Sequence, residues 1–276
     1  MGRSWPASAL ALVRARNLVM TAAGVLIGGV LAQGSFALPP QLLWAALSAV
    51  LIAAAGNVAN DVADREADRI NRPDRPLVGG GLTVGAALLI GGMAGGLGLV
   101  IAWMLGRDAF VMSFVVLSVM LSYSPLIKQH GLIGNIVIAL FGGLPMIYGA
   151  LVMGWWRAGL VAAVLAAVLH FAREVVKDLE DVAGDEAQGR RTVPIAQGRD
   201  AAFVLAAAAL IAFVPASLAP WFAGWYGPRY GAVVLVLDLG ILVLIARLLG
   251  RQLPGARAAL KGAMLAGIAA LLWDRL

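Results

Sequence analysis

The sequence predicts an all-α, polytopic membrane protein: nine transmembrane helices bundled into one domain over residues 1–276. Three observations carry the prediction. Hydrophobic residues make up 61% of the chain and charged residues 13%, and the mean hydropathy of +0.89 lies far outside the range of soluble proteins. Basic residues are distributed among the loops between apolar runs, where a net charge of +6 sets orientation and does not form a nucleic-acid patch. Eleven of the fifteen acidic residues fall in only two short stretches, from Asn57 to Pro76 and from Arg173 to Glu186.

In order, the apolar runs are Ala11 to Leu31, Leu42 to Val62, Thr83 to Leu105, Phe110 to Tyr123, Leu132 to Met153, Gly159 to Val182, Ala201 to Leu218, Gly231 to Leu249 and Ala258 to Trp273. The first is too long for a signal peptide and is followed by further spans instead of a cleavage site. The second and the sixth each end in an acidic stretch. The fourth is short enough to be a partial span. Within the sixth lies His170, best read as a histidine satisfied by a backbone carbonyl, and within the eighth lies Asp238, an intramembrane acid with no evident partner. Gly and Ala dominate the interiors, as suits helices that pack closely in lipid. Loops carrying Arg65, Arg69, Arg72, Arg75, Lys128, Arg190 and Arg191 alternate with loops carrying only Arg107, Arg157, Arg229 and Arg275. By the positive-inside rule the acidic stretches and the amino terminus are then cytoplasmic, and an odd number of spans sends the carboxyl terminus outside.

The acidic stretches share one pattern. If the second helix continues through its polar end, Asn57, Asp61, Asp64 and Asp68 follow at steps of four, three and four and fall on one face, with Asn60 at its edge and Glu66 pointing away. Glu174, Asp178, Asp181 and Asp185 repeat these steps in register, with Lys177 matching Asn60, although Gly184 can end that helix early. Each stretch is followed by basic residues and proline, which suggests two pseudo-repeats, about 1–125 and 126–276, around a shared site. A solvated helix end is the bland alternative, but ordinary solvated faces would spread their acids.

Carboxylates this close repel one another unless protons or cations lie among them. Cysteine is absent and His130 and His170 are the only imidazoles, so the oxygen-rich donor set points to Mg2+ and away from zinc. Magnesium completes its shell with phosphate oxygens, so two carboxylate rows with Lys and Arg nearby read as a diphosphate clamp. A surrounding apolar bundle suits a substrate with a long apolar tail.

Asn60-Asp61-x-x-Asp64-x-x-x-Asp68, followed by Asn71-Arg72-Pro73-Asp74-Arg75-Pro76-Leu77, resembles the first aspartate-rich motif of the UbiA-type intramembrane prenyltransferases. Arg173-Glu174-x-x-Lys177-Asp178-x-Glu180-Asp181-x-x-Gly184-Asp185 is similar to their second motif, and Tyr123-Ser124-Pro125-Leu126-x-Lys128 to the short motif closing their fourth helix. The continuation Gly189-Arg190-Arg191-Thr192-Val193-Pro194 is most similar to the archaeal ether-lipid branch, from which Arg190-Arg191 departs where a single basic residue is more usual.

That resemblance implies a nine-helix fold, a cytoplasmic-side site and Mg-dependent transfer of a geranylgeranyl group from its diphosphate to the free hydroxyl of geranylgeranylglyceryl phosphate. Asn60, Asp64 and Asp68 with Asp181 and Asp185 would hold Mg2+ and the diphosphate, with Asp61 and Asp178 close enough to join. Lys128, Lys177, Arg72 and Arg75 would meet phosphate oxygens. Arg16 and Asn17 would bind the acceptor, Arg16 equally reading as a positive-inside anchor. Tyr123, Phe141 and Tyr148 are candidates to shelter an allylic cation, packing being the commoner role. The alternative acceptor is an aromatic acid, 4-hydroxybenzoate or a naphthoate. A cation-coupled transporter would place its acids at the midplane, and a CDP-alcohol phosphotransferase would need Gly where Arg65 follows Asp64.

Overall fold

The computed structural model describes residues 5–127 and 130–275, and among these the regular structure is entirely helical. Helices α1 (Trp5–Leu12) and α2 (Ala15–Gln33) form a bent pair joined at Arg14, which adopts a left-handed backbone with φ of 56°. Helix α3 (Pro40–Ala63) opens with proline at its first position, where a missing N–H costs nothing. Short α4 (Arg65–Asn71) follows it, then α5 (Val84–Leu105), capped by the Thr83 hydroxyl accepting from the Ala86 N–H at 3.2 Å. Next come α6 (Arg107–Ser122), a π-helical turn (Tyr123–Ile127) and α7 (Leu132–Val152). A 3-10 turn (Trp156–Gly159) leads into α8 (Leu160–Ala187) and short α9 (Val193–Ala196). The chain then runs through α10 (Arg199–Phe222), α11 (Pro228–Leu249) and α12 (Ala256–Trp273).

Each of the nine predicted apolar runs overlaps one of the long helices, but nine spans are not confirmed. Among the described residues seven helices are long and apolar enough to cross a bilayer, and the bent α1–α2 pair makes up to eight. The shortfall is α6, whose 16 residues reach only about 24 Å at 1.5 Å each, less than the roughly 30 Å hydrocarbon thickness. Two local expectations also change. The helix through the first acidic stretch does not run on unbroken, because Asp64 leaves helical geometry (φ −87°, ψ 4°) and divides α3 from α4. Helix α8, by contrast, continues through Gly184 to Ala187 and keeps Asp185 on its surface.

Small residues set the spacing of the bundle. A Cβ placed on Gly149 of α7 would strike the Val25 backbone of α2, and one on Gly28 of α2 would strike Met146 of α7. Neither glycine has an unusual backbone; the need is for closeness, which in lipid supplies packing energy that water would otherwise drive. Leu89, Met93, Trp103 and Val236 face outward and stay exposed, as lipid-facing side chains should.

Candidate active site

The two acidic stretches meet at one end of the bundle and line a single cavity of about 1110 Å³ that runs down between the helices. From α3 and α4 come Asn60, Asp61, Asp64 and Asp68, and from α8 come Glu174, Lys177, Asp181 and Asp185. Asp178 is the exception. It is 5% exposed, is not among the cavity-lining residues, and accepts a hydrogen bond from the Asn135 amide at 3.0 Å, so the structure separates it from the expected metal group. The physical reason is its partner: at the α7 edge of the row, the Asp178 carboxylate is held by the Asn135 amide.

Almost every carboxylate in the cavity is held by a cation. Asp61 is paired with Arg14 and with Arg75, and Arg75 also reaches Asp68 at 3.0 Å. Arg72 grips Asp181 through both carboxylate oxygens, at 2.7 and 3.0 Å. Arg190 crosses between the stretches, donating to Asp64 at 2.5 Å and to Asp185 at 3.0 Å. Lys177 lies 3.4 Å from Glu174 and 4.0 Å from Asp181. Asn60 accepts from the Ser124 hydroxyl at 3.1 Å, which ties the first row to the π-helical turn.

These pairs tune the groups at the mouth. Burial opposes the Arg190 charge, but Asp64 and Asp185 outweigh it and hold the guanidinium above its ordinary pKa. The same balance, burial against Asp181, holds Arg72 up. For Arg75 burial wins, helped by neighbouring Arg14, and its pKa falls. Burial also raises the Asp68 carboxyl despite Arg75 beside it. Cations that carry charge but are shared among carboxylates can be redistributed onto phosphate oxygens, for which guanidinium is the better-matched donor.

Tyr123, Phe141, Tyr148, Asn17, Arg72 and Arg75 all line the cavity. The side chain of Arg16, and Lys128 altogether, lie outside the described residues. His170 lines the cavity too, and its Nδ1 sits 2.9 Å from the Ala166 carbonyl, so that nitrogen carries the proton, as a satisfied histidine requires. Asp238 does have a partner, the Ser217 hydroxyl at 2.9 Å. Arg14 and Arg190 were given no place in the site in advance, and Glu174 was read as the first member of the second acidic row without a role of its own. Arg190 stood out only as a departure in a loop, and Arg14 owes its reach to a left-handed bend that no local motif announces.

The sequence pattern of the UbiA prenyltransferase family matches residues 19–268. The digeranylgeranylglyceryl phosphate synthase of Methanoculleus marisnigri is 36% identical over 274 residues, covering 94% of each chain. A UbiA homolog from Aeropyrum pernix K1 has the same fold, with a TM-score of 0.82 at 19% identity over 95% of this chain and 98% of that one. Another from Archaeoglobus fulgidus, bound to DMAPP and Mg2+, superimposes with a TM-score of 0.67 at 17% identity over 96% and 99%. Fold, paired acidic stretches and full-length similarity agree, and the chain belongs to the UbiA prenyltransferase family.

Proposed function

We propose that this multi-pass membrane protein transfers a geranylgeranyl group from geranylgeranyl diphosphate to the free hydroxyl of geranylgeranylglyceryl phosphate. The observation that carries the reading is the convergence of two carboxylate rows, interleaved with arginines, at the mouth of one deep apolar cavity. Similarity over nearly the full length to digeranylgeranylglyceryl phosphate synthases supports this acceptor over an aromatic acid.

The donor set fits Mg2+. Its oxygen donors, carboxylates and one amide in a chain without thiolates, suit a cation that keeps waters and shares its shell with diphosphate oxygens. Asn60, Asp64 and Asp68 from one side and Asp181 and Asp185 from the other would hold it, with Asp61 adjacent. Bound there, Mg2+ would offset the negative charge that gathers on the departing diphosphate.

The protein's own residues do the remaining work. Arg72, Arg75, Lys128 and Lys177 bind the diphosphate oxygens, and Tyr123 and Phe141 face the allylic carbon as the C–O bond to diphosphate weakens. The acceptor hydroxyl oxygen forms the new C–O bond and releases its proton, so the chemistry is a substitution without redox change. Arg16 and Asn17 orient the acceptor headgroup. The site faces the cytoplasm, where both substrates present their phosphates.

The test is product analysis with purified protein, geranylgeranyl diphosphate, Mg2+ and three acceptors: geranylgeranylglyceryl phosphate, 4-hydroxybenzoate and a naphthoate. The ether product should dominate, and Asp64→Ala, Asp181→Ala or excess chelator should abolish it while the protein stays folded. Full turnover in chelator would rule out the metal, and a better rate with 4-hydroxybenzoate would rule out the acceptor.

A further inference from the structure

Transfer to a hydroxyl releases a proton, and a base held against the acceptor lowers the barrier by taking that proton as the new C–O bond forms. The carboxylates of the cavity are engaged elsewhere. Five aspartates of the two rows are held by arginines and belong to the diphosphate clamp, as described above. Glu174 is paired with Arg173 at 2.7 Å and with Lys177 at 3.4 Å, and Asp74 is exposed at the mouth.

His170 differs. It lines the cavity from α8, one turn farther from the mouth than Glu174, and is half-buried. Its Nδ1–H donates to the Ala166 carbonyl at 2.9 Å, which leaves Nε2 as the nitrogen with a lone pair. Among the described residues no hydrogen bond is made to that Nε2. The ring is seated against α7: a Cβ on Gly142, itself a lining residue, would collide with Cγ, Cδ2 and Nδ1, so the near edge of the ring is pinned and Nε2 lies on the far edge. Among the described lining side chains His170 alone offers a basic lone pair that no cation holds.

Its position on the helix suits the reaction line. His170 and Lys177 are seven residues apart on α8, a rise of about 10 Å with a net turn of about 20°, so both stand on one stripe. Both side chains lean toward the helix N-terminus and keep roughly that separation. A phosphate oxygen about 3 Å from the Lys177 ammonium, one C–O bond, a carbon and hydroxyl about 3 Å apart and a hydrogen bond of about 3 Å to the base make a line of about 10 Å.

We propose that His170 is the general base of the transfer, its Nε2 taking the proton of the acceptor hydroxyl. This rests on the reading above that the donor diphosphate lies between the acidic rows and that the acceptor is an alcohol. As the acceptor oxygen bonds to the allylic carbon, the C–O bond to diphosphate breaks and its electron pair leaves with the diphosphate. The proton passes to Nε2, and the imidazolium then returns it to the released diphosphate or to water.

The experiment measures kcat and both KM values in the wild type, His170→Asn and His170→Gln with two acceptors: geranylgeranylglyceryl phosphate, and its analogue with a thiol in place of the free hydroxyl. His170→Asn keeps an N–H within reach of the Ala166 carbonyl but has no basic nitrogen. With the hydroxyl acceptor, kcat should fall about 100-fold or more in both variants while both KM values stay within about threefold, the loss expected of a missing general base. The thiol, of ordinary pKa about 8.5, is mostly thiolate at pH 9 and needs no base, so there the variants should stay within about threefold of the wild type. Melting temperature reports folding, and His170→Gln decides the matter if His170→Asn unfolds. Hydroxyl transfer within about threefold of the wild type would give the proton to the diphosphate or to water and overturn the proposal. Equal losses with hydroxyl and thiol would make His170 a packing residue and overturn it too. Absence of ether product from the wild type overturns instead the functional reading on which it stands.

Discussion

Arg190→Met tests the claim that one guanidinium joins the two acidic rows. In the wild type Arg190 is 9% exposed, and its partners Asp64 and Asp185 have side chains 12% and 3% exposed, so these are buried pairs and escape the discount that applies at surfaces. Removing the cation takes from Asp64 and Asp185 the guanidinium they share, a change that costs about 3–5 kcal/mol when a buried pair loses one partner. Taking about 3 kcal/mol, and about 2–4 °C per kcal/mol for a chain of this order of length, the metal-free variant should melt roughly 6–12 °C below the wild type. Eight tryptophans make intrinsic fluorescence in detergent a sufficient assay. Addition of Mg2+ with inorganic diphosphate should recover more of the variant's loss than it adds to the wild type, since a ligand at about 100 times its Kd contributes about 2.7 kcal/mol and no longer competes with Arg190. Equal melting temperatures without metal would refute the bridging role.

Three further outcomes are expected. Because this chain has no cysteine, single cysteines at Asp74 and Gly189 should react with an impermeant thiol reagent only from the cytoplasmic side and one at Pro39 only from outside; labelling of all three from one side would overturn the orientation. Gly149→Leu drives a side chain into the Val25 backbone and should cost about 1–3 kcal/mol or more by overpacking, read as a lowered melting temperature at unchanged substrate KM if the α2–α7 approach is structural. Arg16→Ala should raise the acceptor KM roughly tenfold or more with the donor KM nearly unchanged, as loss of a charged hydrogen bond of about 1.5–3 kcal/mol requires; a raised donor KM would assign Arg16 to the diphosphate.

The residues that were legible in the sequence are those whose role follows from periodicity. Steps of four, three and four pointed to Asp61, Asp64, Asp181 and Asp185, which line the cavity on α3 and α8 as helical register requires, while Asp68 reaches it from α4 beyond the break at Asp64. The same rule misjudged Asp178, since a row spaced this way sweeps across a face wide enough for one member to meet a neighbouring helix instead of the cavity. Arg14 and Arg190 escaped because their placement depends on a bend and a loop, which bring together residues 47 and 126 positions apart. Composition announced membrane crossing but could not count the spans, because α6 has the hydropathy of a span without the length.

The division at Asp64 changes what the first row is. Asp61 belongs to the long shaft of α3, but Asp68 sits on α4, and α4 is fastened elsewhere: the Asn71 amide donates to the Asp181 carbonyl at 3.2 Å and accepts from the Gly184 N–H at 3.1 Å. A side chain on Gly184 would collide with Asn71, so the glycine is what admits the latch. Asp68, the last member of the first row, therefore sits on a segment fastened to the opposite helix. The Asn71 latch ties the segment carrying Asp68 to the helix carrying Asp181, whereas between Asp61 and Asp68 the backbone leaves helical geometry and Arg75 pairs with both carboxylates. The break at Asp64 is thus where the first row passes from the α3 shaft to the α8 side of the cavity.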